Sequence, residues 1–261
     1  MTTKSDTDST AQTTAAAAER AGVAGVRVRE VIHPDPVMRL TARHMLASHS
    51  GTAPVTVLAE ADANGLVEAR RRLTAPPGAP RVSYSQLLVK ILAEALLRHP
   101  RLNAAFGEDG VTVFDEINIG VAMAMPDGNL CVPVVHRADR LGLQEIVARM
   151  DELRARGHAG KLTTADVRNG TFTLSNAGMV EGVRWTTPLL NLPQCAILAT
   201  GTLAERAVVR EGAVVARWIL DLSVTFDHRA INGFAVAEFA GTLAALIAAP
   251  DAALGLVGAD G

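Results

Sequence analysis

Aromatic residues are scarce in this chain: two Trp, one Tyr and six Phe in 261 residues. So thin a set offers no base-stacking surface for a nucleic acid. A basic excess is missing as well, since 25 Lys and Arg stand against 27 Asp and Glu for a net charge of −2. The electrostatic footprint of a nucleic-acid or anionic-membrane binder is therefore not expected. Lysine occurs only at Lys4, Lys90 and Lys161, and no mechanism follows from that. No uninterrupted apolar run approaches about 18 residues, so no membrane span is expected. The N-terminus lacks the basic start and apolar core of a signal peptide. The two cysteines, Cys131 and Cys195, each sit in an apolar run. They read as buried free thiols rather than a disulfide or a nucleophile, which fits a cytoplasmic protein. There is no Cys-x-x-Cys pair, no Gly-rich phosphate loop and no Gly-x-Ser-x-Gly elbow. Of the seven histidines only His44 and His49 are close, and five residues apart they fall on different helix faces. No metal site is expected.

What is present is a chain that is 49% hydrophobic, enough for one large or two small domains. Residues 1–25 are rich in Thr, Ser and Ala and read as a disordered tail. Structure is expected to begin near the alternating segment Val26–Val31. Helices are predicted over Pro36–Ser48 (apolar at Val37, Leu40, Met45 and Leu46), Asn64–Leu73, Ser83–His99, Leu143–Arg156 and Phe234 to about Ala249. Strands are predicted over Val55–Ala61, Ile117–Met125, Leu130–Val135, Thr171–Ser175, Ala196–Thr200, Arg206–Arg210 and Val214–Phe226. Strands and helices alternate with hairpin-like pairs mixed in, and no linker splits the core. One α/β domain with a mixed sheet is the expectation, over residues 26–256, with 257–261 a flexible C-terminus.

Two stretches carry polar groups suited to chemistry. In Asp227-His228-Arg229-Ala230-Ile231-Asn232-Gly233 a histidine sits where a strand ends and a helix begins. Held there with its ring facing a cavity, it suits a general base; a satisfied histidine in a polar turn fits the heptapeptide alone as well. Asp227 suggests a relay, but neighbouring strand residues point to opposite faces, so pairing with an arginine is the better reading. In Asn169–Gly178 a β-rich run ends at Ser175-Asn176 and a glycine. Ser175 is placed to donate to an oxyanion, or else Ser and Asn serve the turn.

Five motifs occur in one order: Asp127–Val135, Gly160–Val167, Gly170–Gly178, Thr187–Leu198 and Asp227–Gly233. Together they closely resemble the catalytic domain of the dihydrolipoamide acyltransferases of 2-oxo-acid dehydrogenase complexes, whose superfamily includes chloramphenicol acetyltransferase. The resemblance runs over residues 26–256. It implies a two-layer chloramphenicol acetyltransferase-like α/β fold with a mixed sheet, assembled as a homotrimer with active sites at subunit interfaces. It implies acetyl-CoA or another acyl-CoA as co-substrate. Acyl transfer from a thioester needs a base and an oxyanion donor and no metal, and the activated thioester makes direct transfer without a covalent enzyme intermediate the expectation; with no lipoyl domain in this sequence, no covalently bound lipoyl group is expected. By motif match His228 is the general base, Ser175 of the neighbouring subunit stabilises the oxyanion, and Asn232 supports the loop. Asn232 replaces a more usual aspartate and cannot form that residue's ion pair with Arg39 or Arg43. The motifs assign no CoA-contacting residues. Trp185 is a candidate wall of the acyl pocket or an interface residue.

Several features depart from that family. No lipoyl or subunit-binding domain precedes the core, the histidine of the family's Pro-His-Val-Thr is missing at Pro54-Val55-Thr56, and Leu254–Gly261 lacks an apolar anchor. A trimer is expected rather than a cage. The leading expectation is a stand-alone acyl-CoA-dependent O-acetyltransferase acting on a small-molecule hydroxyl, with a tetronate-type polyketide as one setting. The alternatives are a dihydrolipoamide acyltransferase core and an inactive trimeric scaffold.

Overall fold

The computed structural model describes residues 16, 19, 22–78, 81–126, 128 and 130–256. The tail expected over residues 1–25 and the C-terminus expected over 257–261 fall mostly or wholly outside them. The chain divides into two units, residues 1–46 and 47–261. Helix α1 (Pro36–Gly51) starts in the first and ends in the second; proline stands at its first position, where a missing N–H costs nothing. Asp35 accepts from the Met38 N–H at 2.7 Å and satisfies another orphan donor of the first turn. The alternating segment Val26–Val31 forms no strand: these residues are irregular. Alternation supplies a period but not a neighbour, and no described strand pairs with this segment.

The second unit holds a mixed seven-stranded sheet. Its centre is β11 (Ala213–Asp227), which pairs antiparallel with β1 (Pro54–Asp62) along Ile219–Asp227. Along its other edge lie β9 (Ala196–Thr200) and β10 (Ala204–Arg210), end to end, with a one-residue register slip at 201–203. Strand β8 (Phe172–Asn176) joins β9 in parallel, then β4 (Ile119–Val121) joins β8 in parallel, and β7 (Val134–Val135) closes the sheet antiparallel. Two small pairs stand apart: β2–β3 (Ala104–Gly107, Gly110–Val113) and β5–β6 (Met123–Ala124, Leu130–Cys131). The two long strands expected at 117–135 thus break into four. Pro133 has no N–H for a ladder, and the Ala122 N–H turns to the Leu174 carbonyl at 2.9 Å.

The sheet's two faces differ in chemistry. On one face Phe172, Leu174, Ala196, Leu198, Leu222, Val224 and Phe226 are buried in the core. Helices α2 (Asn64–Thr74), α3 (Tyr84–Arg98), α4 (Leu143–His158) and α6 (Gly233–Ala248) make up the helical layer on this core. Helix α3 starts at a capping box: Ser83 Oγ accepts from the Gln86 N–H, and Gln86 Oε1 accepts from the Ser83 N–H at 2.7 Å. Its Leu87, Leu88, Ile91, Leu92 and Ala95 are fully buried at the spacing that predicted the helix. Each such Leu or Ile contributes about 1.5–3 kcal/mol, and truncating one to Ala costs about 2–5 kcal/mol. Two single-turn helices, α5 (Thr164–Val167) and α7 (Asp251–Leu254), complete the set.

The other face is polar yet buried: Thr171, Thr173, Asp221, Ser223, Thr225 and Asp227. An irregular segment, residues 177–195, covers it. The Thr186 N–H donates to Ser223 Oγ at 3.4 Å, Thr173 Oγ1 donates to Gln194 Oε1 at 2.6 Å, and Ser48 Oγ donates to the Leu190 carbonyl at 2.7 Å. Loop backbone carries many donors and acceptors, so a face of hydroxyls suits it better than a helix would.

Candidate active site

His228 follows the last residue of β11, and its N–H donates to the Ala53 carbonyl at 2.9 Å, just before β1. The imidazole lies against the Phe226 ring, centroids 5.4 Å apart. Phe226 belongs to the core face, so the ring sits at the end of the sheet and is exposed in the single chain. Asp227 turns the other way, as strand alternation predicts, and pairs with Arg229. The guanidinium donates from Nη2 at 2.7 Å and from Nε at 3.0 and 3.1 Å, and the Arg229 and Ala53 N–H groups donate at 3.1 and 3.2 Å. Burial opposes ionisation of Asp227, but these donors outweigh it and hold the carboxyl below its usual range.

Asn232 is the N-cap of α6, and its Oδ1 accepts from the Ala235 N–H at 2.9 Å. Its side chain is thereby engaged with the helix, and within the described residues it makes no hydrogen bond to His228. It fixes where the loop ends and α6 begins, so the length of the turn carrying His228 is set from both sides.

Ser175 lies near the end of β8, half-buried, on the polar face. Asn176 reaches α3, with Nδ2 donating to Ser85 Oγ at 3.0 Å, and accepts from the Gly178 N–H at 2.9 Å. The turn then folds against the β9–β10 break. A Cβ on Gly178 would come within 2.3 Å of the Gly201 carbonyl oxygen, and one on Gly201 within 1.8 Å of the Arg184 oxygen. Only glycine permits either approach. Beside this turn a cavity of about 390 Å³ is bounded by the first turn of α3, Arg70, Arg154, Met179 and Thr200. The Thr200 hydroxyl is buried and has no hydrogen-bond partner among the described residues. A larger cavity, about 600 Å³, runs along Asn118, Gly120, Thr171 and Gln194 at the other end of β8. Neither Ser175 nor His228 lines it.

One chain does not bring Ser175 and His228 together. Ser175 pairs across β9 with the level of Ser223 on β11, five residues before His228. At about 3.3 Å per residue and about 4.8 Å per strand, the two are roughly 19 Å apart. They also belong to different faces of the sheet.

Cys195 is buried and free, with its thiol pushed up to about 11 by burial and then by the Asp227 charge. Cys131 is free but only half-buried, against the expectation of a buried thiol, because β5–β6 stands off the main sheet. Sequence reading also missed Asp221, fully buried on β11 and ion-paired to Arg206 and Arg184. The signal is an aspartate flanked by Leu220 and Leu222 in a strand, because a buried charge requires a partner. Arg184 in turn bonds Glu60 at 2.7 Å and stacks over the half-exposed Trp185 ring at 4.2 Å. Among the described residues no group of three or more His, Cys, Asp or Glu could hold a metal ion. No described helix is long and apolar enough to cross a membrane.

Residues 28–255 match the family model of the 2-oxoacid dehydrogenases acyltransferase catalytic domain. The dihydrolipoyllysine-residue acetyltransferase component of the Staphylococcus epidermidis pyruvate dehydrogenase complex is 37% identical over 203 residues, covering 76% of this chain and 46% of that protein. The chain thus spans just under half the length of the curated relatives it matches. Among solved structures, Azotobacter vinelandii dihydrolipoamide acetyltransferase is 28% identical at a TM-score of 0.82, covering 90% of this chain and 97% of that one. Chloramphenicol acetyltransferase, 13% identical at a TM-score of 0.50 over 84% of this chain and 100% of that one, shares the fold. The α/β architecture with its mixed sheet is therefore chloramphenicol acetyltransferase-like, and the chain belongs to the 2-oxoacid dehydrogenase acyltransferase catalytic-domain family.

Proposed function

We propose that this chain is a dihydrolipoamide acyltransferase core, moving an acyl group between coenzyme A and a dihydrolipoyl thiol carried outside the catalytic region. One observation carries the reading. The Azotobacter vinelandii enzyme was studied for the role of a serine, a histidine and an asparagine in its catalytic mechanism, with the asparagine four positions after the histidine. Ser175, His228 and Asn232 stand here in the same order, with the same interval between the last two. The curated relatives are dihydrolipoyllysine-residue acetyltransferases. A lipoyl-borne thiol therefore replaces the small-molecule hydroxyl expected from the sequence, and the polyketide setting finds no support.

The proposed chemistry needs two groups and no metal. His228 takes the proton from the attacking thiol, and the thiolate adds to the thioester carbonyl carbon. Ser175 donates to the oxygen as it gains charge, a contribution of about 10²–10³ in rate. Collapse expels the other thiolate, which recovers the proton from the imidazolium. A thioester is already activated, so transfer is direct. The roughly 19 Å between Ser175 and His228 in one chain supports a homotrimer in which each site takes its histidine from one subunit and its serine from the next. The cavity beside the Asn176–Gly178 turn suits the phosphates of coenzyme A. Arg70, Arg154 and the first turn of α3 supply positive ends, and the Thr200 hydroxyl, without a partner among the described residues, supplies a donor.

Incubation with acetyl-CoA and dihydrolipoamide, or with candidate alcohols, while following free CoA and product mass, tests the acceptor. Turnover with dihydrolipoamide is expected. Turnover with alcohols alone would restore the O-acetyltransferase, and turnover with neither would favour an inactive scaffold.

A further inference from the structure

The His228 imidazole makes no hydrogen bond among the described residues, so its direction depends on Phe226 and on its own backbone. That backbone is held from three sides. The Asp227 N–H donates to the Cys195 carbonyl at 2.8 Å, the His228 N–H to Ala53 at 2.9 Å, and the Ala230 and Ile231 N–H groups to the Asp227 carbonyl at 3.0 and 3.1 Å. The Asp227 side chain, 1% exposed as a residue, closes the arrangement by holding the Ala53 and Arg229 N–H groups and the guanidinium together. Arg229 is anchored outside by Phe106 of β2, with its guanidinium 4.4 Å from the ring centroid. Strand β2 is itself tied to the start of β9, where the Cys195 N–H donates to the Ala104 carbonyl at 2.8 Å.

We propose that Asp227, clamped to Ala53 and to the Phe106-stacked Arg229, is the positioning residue that aims His228. The inference rests on His228 being the base. Both Asp227 oxygens are occupied by N–H donors and neither touches the imidazole, so the carboxylate is no relay partner. It acts by fixing backbone direction on both sides of His228. Phe106 carries the clamp out to the β2–β3 hairpin, so a packing change outside the site is felt at the base. A base displaced by about 1 Å loses about 10² in rate.

The test uses the assembled full chain, with kcat, KM and the pH–rate profile for transfer from acetyl-CoA to dihydrolipoamide. Asp227→Asn is expected to lower kcat by about 10²-fold, with both KM values within about twofold and the profile's midpoint unmoved. Arg229→Lys keeps the charge but not the fork and falls between wild type and Asp227→Asn. Phe106→Leu leaves the ion pair intact and lowers kcat about two- to fivefold, which keeps the test decisive should Asp227→Asn not assemble. Unchanged kcat in Phe106→Leu and Arg229→Lys would overturn the clamp, as would a displaced midpoint in an assembled Asp227→Asn protein. Failure of the acceptor reading is separable, because it appears as inactivity of the wild-type protein toward dihydrolipoamide. In that event the rate of His228 modification by diethyl pyrocarbonate reads the clamp, with faster modification expected in Asp227→Asn and Phe106→Leu and equal rates contradicting it.

Discussion

Ser175 on β8 and His228 after β11 stand at opposite ends of strands separated by β9, on different faces of one sheet, roughly 19 Å apart. No side-chain rotation spans that gap, so the two act on one substrate only if they come from different copies of the chain. The sheet's polar face then has a purpose. Ser175 lies on it half-buried, while the core face runs on to His228 at the far end.

The two residues differ in what their loss removes. His228→Ala is expected to lower the transfer rate by about 10²–10⁴ with assembly unchanged by light scattering. Ser175→Ala is expected to lower it by about 10²–10³. An active His228→Ala protein would refute the base, and a loss below about threefold in Ser175→Ala would remove its oxyanion role.

Asn232 acts on the fold first. Asn232→Ala removes the α6 cap and is expected to cost about 0.5–2 kcal/mol, a fall in Tm of about 1–8 °C. Asn232→Asp keeps an accepting oxygen for the Ala235 N–H and should unfold near the wild-type temperature. Equal melting of the alanine variant would contradict the capping account.

Asp166 links acid stability to α4. The Thr163 hydroxyl and N–H, with help from Arg156 and Arg149, hold its carboxyl below the usual range against the cost of burial. A depressed folded value contributes stability that is full above the unfolded value of about 3.9. That stability is lost as pH falls through the folded value. Urea midpoints should therefore decline below about pH 4, and less steeply in Asp166→Asn. Parallel declines in the two proteins would sink this assignment.

Cys195 should be silent toward thiol reagents. With its thiol pushed up to about 11 and its side chain buried, iodoacetamide at pH 8 should label it only when the protein unfolds. Rapid labelling of Cys195 in the native protein, read by mass spectrometry, would contradict the burial.

Much of this was legible in the sequence because local rules and packing agree. Helix α3 has its capping box, its period and its terminating Pro100, and β11 has its alternation. Val26–Val31 shows the limit, since a period of two says nothing about whether a partner strand exists. The β2–β3 hairpin was missed because its strands have four residues each, although Gly107-Glu108-Asp109-Gly110 is a plain turn signal. Asp227 was readable as an arginine partner from strand alternation. The role of Phe106 was not, because nothing local ties residue 106 to residue 229. Likewise, Asn232 looked like a site residue in sequence, and only the start of α6 identifies its side chain as a cap.

The most direct test mixes two lesions. Ser175→Ala and His228→Ala chains carrying different tags are co-expressed, and assemblies holding both tags are isolated. If each site takes its serine and histidine from different subunits, some interfaces regain both intact residues. Every mixed trimer has one such interface in three, so the isolated assemblies regain roughly a third of wild-type activity. If one chain supplied both residues, every site would carry a lesion, and mixed assemblies no more active than the single variants would contradict the account.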